Sequence, residues 1–433
     1  MPAPTIHAAA AALRTKETTP TDLVRQCFAE IDRREANVKA WVFVDRERAL
    51  AQADRCDREL AAGHDRGPLH GIPLGIKDIF DVADWPTAAG SRRWASAIAR
   101  EDAPVVQRLR HAGAIFLGKT VTTAFASFDP PVTRNPWSPD RTPGGSSSGS
   151  AAAVATGMCL GSVGSQTGGS ITRPASYCGV AGCKPSYGLL PLDGVVPLAH
   201  SMDHPGPMAT CVRDLRLMLQ AMAGTSLRAA SLPTDLPLRL GRVGGLFDRS
   251  AEPSVRAAMD EFVARLRCHE IDIEDVTLPA RFEDVVPRHM TVMAVEAAAW
   301  HHDRFARHPD DYPPRIRGLI ELGLACPAPE YAICKQHQHD LTEEMDAFLE
   351  FGEVSFLLAP ATTGPAPLAD TTGNPAFNSP WSYTGLPVVS FPTGQFVDGL
   401  PLAIQLIGPR FAEMDLLNVA QRCEAVPRSH SCP

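Results

Sequence analysis

The sequence predicts an α/β fold with a mixed, twisted central sheet covered by helices. Three observations point there. Short apolar runs of strand length alternate with stretches of helical periodicity. The run Ile72-Pro73-Leu74-Gly75-Ile76-Lys77-Asp78-Ile79-Phe80 reads as a buried strand with a charged pair near its end. The chain is 44% hydrophobic and 21% charged over 433 residues, ordinary globular usage with enough length for a sizeable core.

Residues 5–60 read as helical. Thr19-Pro20 sets a helix start, with proline at the first helical position, and Leu23, Val24, Cys27 and Ile31 follow at helical spacing. A second helix is expected from about Asp45 through Leu60. After the Ile72–Phe80 strand come a helix from Val105 to Ala112 and a strand from Ala114 to Leu117. Residues 129–149 form a loop by their Pro, Gly and Ser content. A small-residue helix is expected from Ser150 to Met158, then a Gly/Ser loop at Gly164–Ser170. Residues 225–345 carry most of the remaining helical periodicity, as at Val255–Leu266 and Leu341–Leu349. Strands return at Val354–Leu358, Leu386–Phe391 and Leu402–Ile407, and a last helix covers about Glu413 to Ala425. The whole chain reads as a single domain: N-terminal helices 1–65, a core 66–224, a helical variable region 225–345, a C-terminal sheet and helix 346–425, and a loose tail 426–433.

The formal charge of −8 and the lack of a long Lys/Arg run speak against a nucleic-acid surface. The N-terminus has no basic region followed by an apolar stretch, and no apolar window is long enough to span a bilayer, so a soluble cytoplasmic protein is expected. Eleven scattered cysteines suggest mostly buried, reduced thiols. Cys334, His337 and His339 offer metal-ligand types but no fourth partner, and read instead as a solvated helix end.

Two Ser/Gly clusters dominate the chemistry: Gly144-Gly145-Ser146-Ser147-Ser148-Gly149-Ser150 and Gln166-Thr167-Gly168-Gly169-Ser170. A serine nucleophile needs a base. The one histidine between residues 71 and 198, His111, falls in the helical stretch 105–112, away from both clusters. The nearest candidate is Lys77, whose amine would be kept neutral by burial and able to accept a proton. A second hydroxyl could relay that proton. Thr167-Gly168-Gly169-Ser170 places successive N–H groups in a turn, a nest suited to a developing oxyanion. The bland alternatives are a flexible linker for the clusters, a solvent-reaching strand-end lysine, and a simple pairing of Lys77 with Asp78. A rival reads Gly145-Ser146-Ser147-Ser148-Gly149 as G-x-S-x-G with Ser147 as nucleophile and Asp203 and His204 as partners, but a proline-rich loop stands where the preceding strand should be.

These segments resemble the amidase-signature family. So do Gly71–Asp78, Thr142–Ser147, Cys178–Gly188, Thr384–Pro387 and Gly399–Pro409, and the resemblance runs over nearly the whole chain. It implies an amidase-signature fold and a Ser-cisSer-Lys triad: Lys77 as base, Ser146 as relay on a cis peptide, Ser170 as nucleophile. The oxyanion hole then falls on the N–H groups of Thr167, Gly168, Gly169 and Ser170, with no metal or organic cofactor. The implied reaction is hydrolysis of a small carboxamide to a carboxylate and ammonia or an amine. Three departures stand out. Ser148 replaces the usual glycine, and Gln166 replaces a frequent aspartate. Thr172 occupies a frequent arginine position, with Arg173 one residue later. The last departure resembles malonamidase-like and carboxybiuret-hydrolase-like members, and Arg173 would either clamp a substrate carboxylate bidentately or brace the loop. The family also includes the amidase component of a tRNA-dependent amidotransferase, which works in a complex with partner proteins. A free-standing enzyme is the favoured reading, with a homodimer or accessory subunit left open. His301-His302 and Trp381-Ser382-Tyr383 are weaker candidates for a pocket wall.

Overall fold

The computed structural model describes residues 4–231 and 238–427. Eleven strands form one sheet: β1 (Trp41–Val44), β2 (Pro73–Lys77), β3 (Ile115–Thr120), β4 (Gly161–Gln166), β5 (Ala181–Lys184), β6 (His204–Ala209), β7 (Leu238–Val243), β8 (Ile271–Val276), β9 (Leu357–Pro360), β10 (Val388–Val397) and β11 (Leu400–Ile407). Their order is β1-β3-β2-β4-β6-β5-β10-β11-β9-β7-β8. β2 pairs in parallel with β3 and β4, and β7 with β8 and β9, while the remaining ladders are antiparallel. The sheet is therefore mixed.

Helices α1 (Ile6–Thr15), α2 (Pro20–Val38), α3 (Arg46–Ala61), α4 (Pro104–His111), α5 (Ser148–Ala155), α6 (Thr172–Cys178) and α7 (Val212–Ala223) belong to the first half. They are followed by α8 (Leu246–Ser250), α9 (Pro253–Cys268), α10 (Val285–Arg307), α11 (Pro314–Ala325), α12 (Ala328–Phe351), α13 (Ser379–Tyr383) and α14 (Glu413–Glu424). α2 starts where its local chemistry puts it: the Thr19 side chain accepts from Asp22 N, and Pro20 opens the helix where its missing N–H costs nothing. One hydrophobic cluster runs from Ile6 to Val426 and joins the sheet to its helices.

Three expectations need correction. Residues 5–60 are not all helix, because Trp41–Val44 leaves α2 to pair antiparallel with β3. The region 225–345 is not only helical, since β7 and β8 extend the sheet there. The start of the expected loop at Gly164 is the second half of β4, fully buried along its length. Of the expected tail 426–433, residues 428–433 lie outside the described residues.

The fold places chemistry by strand pairing. β2 and β4 run side by side with Ile76 opposite Val163. Their carboxyl ends therefore emerge together, the position where parallel strands of α/β folds carry sites.

Candidate active site

Lys77 is the last residue of β2 and is fully buried. Its Nζ lies 2.7 Å from Ser146 Oγ and 2.7 Å from Ser165 Oγ. Burial holds the amine well below the usual lysine range, opposed by the charge of Asp203. Asp78 does not pair with Lys77. Its carboxylate lies 3.0 Å from Lys119 Nζ, so the charged pair at the strand end splits to two sides. Lys77 has no carboxylate in salt-bridge range among the described residues.

The Gly145–Ser146 peptide is cis, the geometry the resemblance implies. The two Ser/Gly clusters meet through the backbone, with Ser147 N donating to Ser170 O at 3.3 Å. Ser147 itself is occupied. Its hydroxyl donates to Ser165 O and accepts from Ser165 N, each at 3.2 Å. No strand leads directly into it, since β3 ends at Thr120, and His204 Nδ1 is bonded to Met202 O and Gln166 O, so no nucleophile elbow forms.

Ser170 sits between β4 and α6. It lines a cavity of ≈ 220 Å³ together with Thr167, Gly168 and Arg173. Larger clefts exist, such as one of ≈ 510 Å³ beside α2, but none of the candidate catalytic residues lines it. The N–H groups of Gly168, Gly169 and Ser170 have no acceptor among the described residues, as an anion-binding nest requires. Thr167 is fixed by its side chain, whose hydroxyl donates to Asp203. Asp203 also accepts from Leu198 N at 2.9 Å, and burial pushes its pKa up to about 6.

Gln166 has a clear task. Its Oε1 accepts from Ile171 N at 2.9 Å and from Thr172 N and Oγ1 at 3.0 Å, capping the start of α6 just past Ser170. A neutral amide oxygen thus meets the donors that a carboxylate at this position would meet. Ser148 opens α5 with its hydroxyl near Val121 O, a minor contact.

Arg173 is both brace and open donor. Nε donates to Thr372 O at 2.7 Å and Nη2 to Gly145 O at 2.8 Å, tying α6 to the residue before Ser146. Nη1 is buried with no hydrogen-bond partner among the described residues. Burial lowers the guanidinium to about 10, which leaves it charged at neutral pH. Two of the three nitrogens thus hold protein oxygens, and Nη1 is the one left without a hydrogen-bond partner among the described residues.

Sequence reasoning missed two residues. Ser165 touches Lys77, and its signal was present as a third hydroxyl five positions before Ser170. His289 of α10 lines the cavity and bonds to the Thr167 carbonyl at 2.9 Å. Nothing local in sequence marks it. Conversely, His301 is bonded to the Tyr312 hydroxyl and His302 is exposed, while Trp381 stacks on Phe247 in the core; none lines this cavity. Cys334 and His337 are buried within α12, not at a solvated helix end, and His337 is used by Tyr383 and Arg281 O. Among the described residues, two other groups offer metal-ligand types away from the serines: His7, Cys211 and Asp214, and Cys56, Glu59 and His70. Asp214 caps α1 through Ile6 N and His7 N, and Glu59 pairs with Arg66 and His70, so both groups have structural uses. Among the described residues no helix is long and apolar enough to cross a membrane.

The amidase family profile matches residues 22–417. AmiD of Mycobacterium tuberculosis, named as an amidase, is 34% identical over 96% of this chain and 93% of its own. A glutamyl-tRNA(Gln) amidotransferase subunit of Picosynechococcus is 33% identical over 96% and 97%. Among solved structures, a chain from a complex tied to the evolutionary origins of an s-triazine catabolic enzyme superposes with TM-score 0.90. It is 31% identical over 98% of this chain and 99% of that one. The peptide amidase of Stenotrophomonas maltophilia superposes with TM-score 0.82 at 27% identity, covering 99% and 98%.

Proposed function

This chain belongs to the amidase family and hydrolyses carbon–nitrogen amide bonds, and from that premise we propose a mechanism and a substrate class. Ser170 is the nucleophile, Ser146 the proton relay and Lys77 the base. The observation that carries this reading is the buried Lys77 amine, hydrogen-bonded to two hydroxyls and to no carboxylate among the described residues. A lysine so placed is neutral and can accept a proton.

As Ser170 Oγ bonds to the acyl carbon, its proton passes to Ser146 and that of Ser146 to Lys77. The oxyanion takes the N–H groups of the Thr167–Ser170 turn, where one donor contributes roughly 3–4 kcal/mol. The C–N bond breaks as the relay returns the proton to nitrogen, releasing ammonia or an amine. Water then attacks the acyl-enzyme over the same relay and frees the carboxylate. Ser165 holds Lys77 Nζ toward Ser146.

The substrate is a small amide bearing a carboxylate on its acyl part. The cavity is below the ~300–1,000 Å³ of drug-sized sites, and Arg173, one of its lining residues, has a buried Nη1 with no hydrogen-bond partner and no carboxylate in salt-bridge range among the described residues. A charged hydrogen bond formed out of water is stronger than a neutral one.

The test is ammonia release from malonamate and succinamate against neutral aliphatic and aryl amides, with Ser170→Ala as control. Turnover confined to the acidic amides and lost in Ser170→Ala is expected. Turnover of neutral amides alone removes the Arg173 role and keeps the triad, and activity surviving in Ser170→Ala at more than about a tenth removes the nucleophile assignment. A second reading, a chain that works only within a complex, is favoured by the similarity to the Picosynechococcus amidotransferase component. It requires that the isolated chain be silent on all these amides.

A further inference from the structure

We propose that His289 is a positioning residue of the oxyanion hole, orienting the Gly168 N–H from a helix that carries no catalytic group. This inference rests on the acyl-enzyme reading above.

A carbonyl oxygen can only accept, so the 2.9 Å contact between His289 Nε2 and Thr167 O fixes the tautomer: Nε2 carries the proton and donates it. Burial depresses the imidazole to about 4, so the ring is neutral at working pH. The Thr167–Gly168 peptide is trans, as the only cis bond described is Gly145–Ser146. In a planar trans peptide the C=O and the N–H point in opposite directions. Pulling the Thr167 carbonyl toward α10 therefore turns the Gly168 N–H the other way, and that N–H has no acceptor among the described residues.

The plane is held from a second side. Thr167 Oγ1 donates to Asp203, which is anchored on the Leu198 and Ala199 N–H groups. The ring also closes on the turn itself: a Cβ at Gly168 would lie 3.0 Å from His289 Cε1. Glycines rotate freely, so a turn with two in succession needs such outside restraints to keep its donors in place. Donors that are already aimed require no reorganisation when charge develops, and that is the source of their catalytic value.

The test uses the full-length enzyme and two readouts. One is kcat and KM on the best amide of the panel above. The other, independent of substrate identity, is the rate at which an alkyl fluorophosphonate labels Ser170, followed by mass spectrometry, since that reaction also builds charge on an oxygen in the hole. His289→Phe keeps a ring and removes the donor. His289→Gln returns an amide N–H near the Nε2 position. We expect His289→Phe to lower kcat and the labelling rate by about 10- to 100-fold with KM within about twofold, a part of the ~10²–10³ attributed to a whole donor. His289→Gln should label within about threefold of the parent. If His289→Phe is isolated unfolded, His289→Asn carries the same arm, because its amide reaches only the Nδ1 position. A donor-free variant that labels within threefold of the parent overturns the proposal, as does a glutamine variant as slow as phenylalanine. Parent enzyme that is not labelled at Ser170 overturns the nucleophile assignment and this inference with it. Labelled parent with an unaffected His289→Phe overturns this inference alone.

Discussion

Among the described residues, Lys77, Lys119 and Lys184 are fully buried, and their partners separate their roles. Lys119 is paired with Asp78, and Lys184 donates to Leu386 O and Pro185 O. Lys119 also donates to Thr87 Oγ1, but of these three only Lys77 has hydroxyls as its sole hydrogen-bond partners among the described residues, and hydroxyls neither neutralise an ammonium nor compete as strong acceptors. Its depressed pKa has a measurable consequence. Between that value and the ~10.4 of an unfolded lysine, the unfolded chain binds a proton that the folded chain does not. Stability contributed through Lys77 therefore rises with pH across that window and is lowest below it. Lys77→Met should melt no lower than the parent at pH 7, lack this slope, and lose about 10²–10⁴-fold in kcat. A variant that melts lower and keeps the parental slope would mean that Lys77 is charged in the fold. The sequence made Lys77 a candidate through its apolar strand, but the same run placed Asp78 beside it. Which of the two faces the serines depends on strand alternation and on Lys119, 42 residues away, and that is not written locally.

At the scale of the element, α6 depends on one side chain. Its first N–H groups would be orphaned at the end of a buried loop, and Gln166 Oε1 meets two of them together with the Thr172 hydroxyl. Gln166→Leu keeps the shape and removes the acceptor. It should cost about 2–3 kcal/mol, from a lost cap and buried unpaired donors, read as a lower urea midpoint at unchanged m. A loss under about 0.5 kcal/mol would show that water or a neighbour replaces the amide. The contrast with other elements shows what local chemistry makes legible. α2 was readable because Thr19 and Pro20 carry their own start signal. β1 was not, because its four residues directly follow a long helix and are held by β3. β8 was overlooked although Ile271-Asp272-Ile273-Glu274 alternates with strand period, since the strong helical pattern of Val255–Leu266 dominates its neighbourhood. The Gly164 error has a similar origin: Gly and Ser read as loop, yet β4 needs small residues. A Cβ at Gly164 would lie 3.0 Å from Ser147 Oγ.

Across the whole molecule, the site joins two regions with different sequence character. The serines, the lysine and the glycine turn come from residues 77–173 and could be read from motifs. The cavity wall comes from far along the chain: Val286, His289, Met290 and Met293 of α10, and the Thr371–Pro375 segment. These residues have no motif, because a wall is defined by where a helix packs and not by what it reacts with. α10 is held in place by α11 and α12, so its face toward Ser170 is set by helix packing over more than 60 residues. If this wall sets acyl length, shortening one side chain in it should change selectivity without touching the chemistry. Met290 is half-buried and lines the cavity, so its truncation opens space beside the acyl group at little cost to the core. One methylene in an apolar pocket is worth roughly 1–3 kcal/mol, or 10- to 200-fold in discrimination. Met290→Ala should therefore raise the ratio of kcat/KM for succinamate over malonamate by about tenfold or more, with Ser170 labelled by fluorophosphonate at the parental rate. An unchanged ratio at that labelling rate would mean that α10 orients the turn through His289 but does not touch the acyl chain, and would move the determinant of length to the Thr371–Pro375 side of the cavity.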